Sequence, residues 1–74
     1  MENQHRAIKG YRELSQEEID KVNEVKDIGV HLDFLIQKIE DLPDIDKRWS
    51  SIAKTHFQQG LMALTRSITR PTFF

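Results

Sequence analysis

His5, Arg6, Lys9 and Arg12 surround Tyr11 near the start of this sequence. A phosphate needs a guanidinium or ammonium group and a base needs a ring to stack on, so these residues are the minimal kit for a nucleotide. A plainer reading is also open, in which Tyr11 only plugs a helical hairpin. Lys26 stands out by its neighbours. Val22, Asn23, Gly29 and Val30 lie at its facing helical positions, and none is a carboxylate. Lys21, by contrast, faces Glu17, Glu18 and Glu24, as an ordinary surface lysine does. A cation beside an apolar stripe either snorkels out to water or meets an anion. Further on, Arg48 precedes Trp49 near the expected start of a helix, where free N–H groups favour anions. Trp49 could equally be a core residue, and His56 an interface histidine. Arg66 and Arg70 sit one turn apart, and no acid is expected within their reach.

Catalytic patterns are missing. The chain has no cysteine, so there is no thiol nucleophile and no CxxC pair. The HExxH, GxSxG and P-loop patterns are absent, and three glycines cannot build a Gly-rich phosphate cradle. His5, His31 and His56 lack ligand-like spacing. The expectation is a binder with no catalytic residue, no metal and no cofactor.

The elements that must position these residues are legible. Asn3 can cap a short helix over 3–9 that Gly10 breaks. Ser15-Gln16-Glu17-Glu18 is a capping box, with Leu14 and Ile19 as its hydrophobic staple. The first long helix should run over 16–41. Ile19, Val22, Val25, Gly29, Leu32, Ile36 and Ile39 form its stripe, widened by Ile28, Leu35 and Leu42. Leu42-Pro43-Asp44 ends it. Asp44 or Asp46 can cap a second long helix over 46–69, which stops before Pro71. Its expected stripe is Trp49, Ile52/Ala53, His56/Phe57, Gly60, Ala63/Leu64 and Ser67/Ile68. A short turn makes the two helices antiparallel neighbours.

The fold class is therefore all-α: a short N-terminal helix plus an antiparallel two-helix hairpin, forming one domain over 1–74. At 74 residues with no disulfide, such a hairpin has a thin core, so assembly into a helical homo-oligomer is expected. Gly29, Gly60, Ala63 and Ser67 would let another helix approach, and Phe73 and Phe74 would find cover on a neighbouring subunit. The charge is split. Residues 1–46 hold every acid and carry −6, while 47–74 hold none and carry +5. This suits self-association or an anionic partner. It does not suit linear nucleic acid, which needs a continuous basic stripe. Without a membrane span or a signal peptide, the expected location is intracellular and soluble.

The residues then match a known family. Asn3-Gln4-His5-Arg6 and the run from Ile8 through Asp20 resemble the opening of the bacteriophage anti-CBASS cyclic-nucleotide sponges, anti-defence proteins that blunt cyclic-oligonucleotide immunity. Arg48-Trp49, Ile52-Ala53-Lys54-Thr55, Gln59 through Leu64, Arg66 and the Pro71-Thr72-Phe73 ending resemble its later part. The resemblance implies a hexamer of interlocked helical hairpins that sequesters cyclic dinucleotides such as cyclic GMP-AMP without cleaving them. It implies separate pockets for cyclic trinucleotides, and action in the host bacterial cytoplasm. By the same analogy, Tyr11 stacks on a base and Lys26 meets a phosphate in a pocket shared between subunits. Arg48, Trp49 and Thr55 are the residues carried over for the trinucleotide. The chain departs from the family in the connection between the long helices. Members have a longer excursion there, whereas here Asp41-Leu42-Pro43-Asp44-Ile45 is nearly all of it. The alternative function is a small helical protein–protein module with no nucleotide ligand.

Overall fold

The computed structural model describes residues 12–72. They form two α-helices, α1 (Gln16–Glu40) and α2 (Lys47–Thr69), with no strand among the described residues. The short helix expected over 3–9 lies outside the described residues, as do Tyr11 and both terminal phenylalanines.

Each helix begins where a side chain can satisfy its free amides. Ser15 caps α1: its Oγ accepts from Glu18 N at 3.2 Å, and Glu18 Oε1 accepts from Ser15 N at 2.9 Å, completing the capping box. Asp46, not Asp44, caps α2, accepting from Arg48 N at 3.0 Å and Trp49 N at 3.3 Å. Between them, Asp41 N donates to Gln37 O and Leu42 N to Ile39 O, tightening the last turn of α1 before Pro43 breaks the ladder. Ser50 Oγ donates to Glu40 Oε2 at 3.0 Å, tying the helices together beside the turn.

The helices pack antiparallel. At mid-length Gly29 lies opposite Leu61, where an added Cβ would meet Leu61 Cδ1 at 3.3 Å, so this glycine lets the helices approach closely. From α1 the seam takes Ile19, Val22, Val25, Gly29, Leu32 and Ile36 of the expected stripe, while Ile39 and the widening residues Ile28, Leu35 and Leu42 are exposed. In α2 the outcome differs from the expected stripe. Ser50, Ile52, Ala53, Leu61, Thr65 and Ile68 are half-buried, while Trp49, His56, Phe57, Gly60, Ala63, Leu64 and Ser67 are exposed. The seam is thus rotated by about one position. The physical reason is that α2 is apolar around more than one face, and a single neighbouring helix can cover only one of them.

The result is a rod measuring 50 × 22 × 17 Å, with a radius of gyration of 16.0 Å. A compact chain of this length would have a radius of about 11 Å. Only Val25 and Ile36 are buried apolar residues among those described.

Candidate functional site

Lys26 lies on an exposed flank of α1 near mid-length. No ion pair forms at its ammonium group among the described residues. Lys38, Lys47 and Lys54 share that lack, so the missing partner does not by itself mark the site. What distinguishes Lys26 is its face. Val30 (54% exposed) and Phe34 (58% exposed) follow it at successive four-residue steps, so the ammonium stands at the head of an uncovered apolar strip. Lys21 behaves as its spacing predicts and pairs with Glu24 at 3.1 Å.

Tyr11 is outside the described residues, but its neighbour Arg12 is not, and the sequence reading missed Arg12's role. Its Nε donates to Thr69 O at 3.0 Å and its Nη2 to Ile68 O at 3.0 Å. Nη2 also reaches Glu18 Oε2 at 2.6 Å, and Nη1 reaches Glu13 O at 3.4 Å. The guanidinium thus occupies the carbonyl end of α2, where cations are favoured and orphan carbonyls need donors. Arg70 Nη2 shares the same Glu18 oxygen at 3.3 Å, which corrects the expectation that no acid is in its reach. The Ser15 backbone N–H, then the Arg12 guanidinium, hold the Glu18 carboxyl down from 4.5 to about 2. No sequence signal could reveal this node, because two of Arg12's acceptors are backbone carbonyls 56 and 57 residues away.

The second group of candidates sits at the other end of the rod. The Arg48 Cζ atom stands 5.9 Å from the Trp49 ring centroid, a cation–π distance, and the ring is 61% exposed. Thr55 follows Arg48 by seven residues, so both occupy one exposed face of α2, with Trp49 offset from it. Arg48 is level with the turn and Lys26 with Leu64, about 24 Å apart along the rod. The two groups are separate places on the hairpin, and both are open to solvent. Among the described residues, nothing encloses either place. Among the described residues no cluster could hold a metal ion, and no helix is long and apolar enough to cross a membrane.

The sequence profile described as "Acb2/Tad1, hairpin domain" matches residues 3–69 of this chain. Anti-CBASS protein 2 of Pseudomonas phage JBD67 is 34% identical to it over an alignment of 105 residues, which covers 96% of this chain and 97% of the relative. The alignment is longer than the 74-residue chain, so the relative carries residues that have no counterpart here.

Proposed function

This chain belongs to the Acb2/Tad1 hairpin family, and from that starting point we propose that it is an anti-CBASS protein that binds and sequesters cyclic oligonucleotide signals without cleaving them. Its ligands are cyclic dinucleotides, cyclic GMP-AMP among them, and at a second place cyclic trinucleotides. It acts in the host bacterial cytoplasm, and holding the signal keeps the host effector switched off.

The observation that carries this reading is Lys26, an exposed ammonium group with no carboxylate partner among the described residues, at the edge of apolar surface that the hairpin leaves uncovered. A hexamer of hairpins covers that surface and brings Lys26 to a pocket shared between subunits. Two symmetry-related ammonium groups neutralise the two phosphates of a cyclic dinucleotide, and two Tyr11 rings sandwich its bases, so a two-fold site suits a two-fold ligand. Arg48 and Thr55, with Trp49 beside them, take the cyclic trinucleotide by the same logic: a guanidinium for phosphate, a hydroxyl for polar contact and a ring for a base.

A second reading, a helical oligomerisation module with no nucleotide ligand, is favoured by the same uncovered apolar surface. One experiment separates them. Native mass spectrometry of the protein, mixed with a panel of cyclic di- and trinucleotides, reads subunit number and bound ligand together. The expected result is six subunits holding cyclic dinucleotides that are recovered unaltered on denaturation. Lys26→Ala should weaken cyclic dinucleotide binding about 10- to 100-fold, the worth of a charged phosphate contact, with helix content unchanged. Unchanged binding by that variant would remove the phosphate contact, and no binding by the parent would leave the bare module.

A further inference from the structure

The start of α2 is filled by this chain's own Asp46. Its Oδ1 accepts from Arg48 N at 3.0 Å and Trp49 N at 3.3 Å, and its backbone oxygen accepts from Ser50 N at 3.1 Å. A helix N-terminus draws anions through such free N–H groups and a partial charge of about +0.5. Here the amides are taken, and the full negative charge of the carboxylate outweighs the partial positive one. The turn adds to it. Glu40, Asp41, Asp44 and Asp46 precede Lys47 and Arg48, which leaves this end of the rod net negative although α2 itself is basic. Arg48 forms no ion pair among the described residues and lies over the Trp49 ring instead, 5.9 Å from its centroid. The place proposed for a cyclic trinucleotide therefore sets a guanidinium and a 61% exposed ring beside a carboxylate that repels phosphate.

We propose that Asp46 is a specificity-determining residue: its carboxylate weakens the hold of Arg48 and Trp49 on the phosphates of a cyclic trinucleotide, and so turns the chain's preference toward cyclic dinucleotides at Lys26. This inference rests on the cyclic-nucleotide reading for its ligands and on the Asp46 geometry for its mechanism. The effect is local. Asp46 and Trp49 are one helical turn apart, a spacing that brings Cβ atoms to about 5–6 Å of each other. At physiological salt charges are screened over about 8 Å, so a phosphate at Arg48 feels the carboxylate, whereas one at Lys26, roughly 24 Å away along the rod, does not. Capping by itself does not need the charge, because asparagine and serine cap helices as well as aspartate does. Asp46→Asn therefore separates the cap from the charge.

Trp49 is the only tryptophan in the chain, so its fluorescence reads the charge beside it without any ligand. The expected result for Asp46→Asn is unchanged helix content by circular dichroism and quenching by iodide about 1.5- to 2-fold stronger, with quenching by neutral acrylamide unchanged. Calorimetry should show cyclic triadenylate bound about 3- to 10-fold more tightly at low salt, a gain that shrinks as salt is added, and cyclic GMP-AMP bound as by the parent. Should Asp46→Asn lose helix content, Asp46→Ser is read the same way. A folded variant with the parent's affinity for cyclic triadenylate overturns the specificity role and leaves Asp46 as a cap alone. An equal gain for cyclic GMP-AMP overturns it too, since the charge would then act on the whole molecule. If neither parent nor variant binds cyclic triadenylate, the second-site reading fails instead, and the iodide quenching still decides whether Asp46 sets the charge at the ring.

Discussion

At the scale of single residues, one carboxylate joins most of what the hairpin end does. Glu18 completes the capping box, pairs with Arg12 and accepts from Arg70. Its folded pKa of about 2 lies below its ordinary 4.5, so the unfolded chain takes up the proton more readily than the folded one. The stabilisation is complete above 4.5 and drains away as the pH falls toward about 2. Melting temperatures measured across that window should fall steeply for the parent and less steeply for Glu18→Gln. Parallel acid limbs would show that the node contributes no pH-dependent stability. Lys26 and Glu18 also differ in how readily the sequence discloses them. The absence of a carboxylate near Lys26 can be counted at helical spacing. The capping role of Glu18 is local too, but its bonds to Arg12 and Arg70 need the helix ends to meet first.

At the scale of elements, both helix starts were legible, because Ser15 and Asp46 are the residue types that accept from free amides. The end of α2 is less ordinary. Arg70 caps it with φ 44° and ψ 61°, a left-handed conformation that suits glycine and costs other residues about 1–2 kcal/mol. Against that cost stands an exposed ion pair to Glu18, worth about 0–1 kcal/mol. Arg70→Gly removes both and should leave stability within about 1 kcal/mol of the parent. Arg70→Val keeps the strain, adds β-branching and loses the ion pair, and should lower stability by about 1–2 kcal/mol. Urea unfolding checks the pair, and equal losses in the two variants would mean that backbone strain at Arg70 plays no part. The rotation of the α2 seam was beyond the sequence. Trp49, Phe57 and Leu64 are as apolar as the residues that turn inward, and only a partner helix selects among them.

At the scale of the whole molecule, the hairpin exposes too much. Its accessible surface is 6224 Å², against about 4,700 Å² for a compact monomer of this size. The excess exceeds the roughly 800 Å² that each partner contributes to a standard interface. Ile28, Phe34, Leu35 and Trp49 are each at least half exposed. Phe34→Asp and Leu35→Asp should therefore disturb the isolated hairpin little, since neither residue is in its seam, yet break the proposed assembly. Sedimentation equilibrium should show the mass falling toward a single chain, with helix content dropping because the lone hairpin has a thin core. An unchanged mass in both variants would place the subunit contacts elsewhere.

The sequence by itself determined that two capped, amphipathic helices form and that a proline turn sets them antiparallel, because those choices depend on residues within a few positions of one another. It also showed, for the same local reason, that Lys26 has no carboxylate at helical spacing. The tertiary structure decided which face of α2 turns inward, that Arg70 finds an acid, and that Arg12 serves the end of the hairpin instead of standing free as a ligand cation. The last two outcomes depend on carbonyls and side chains more than fifty residues apart in the chain. Nearly every residue offers such a carbonyl, so only packing one helix on the other selects which of them are used.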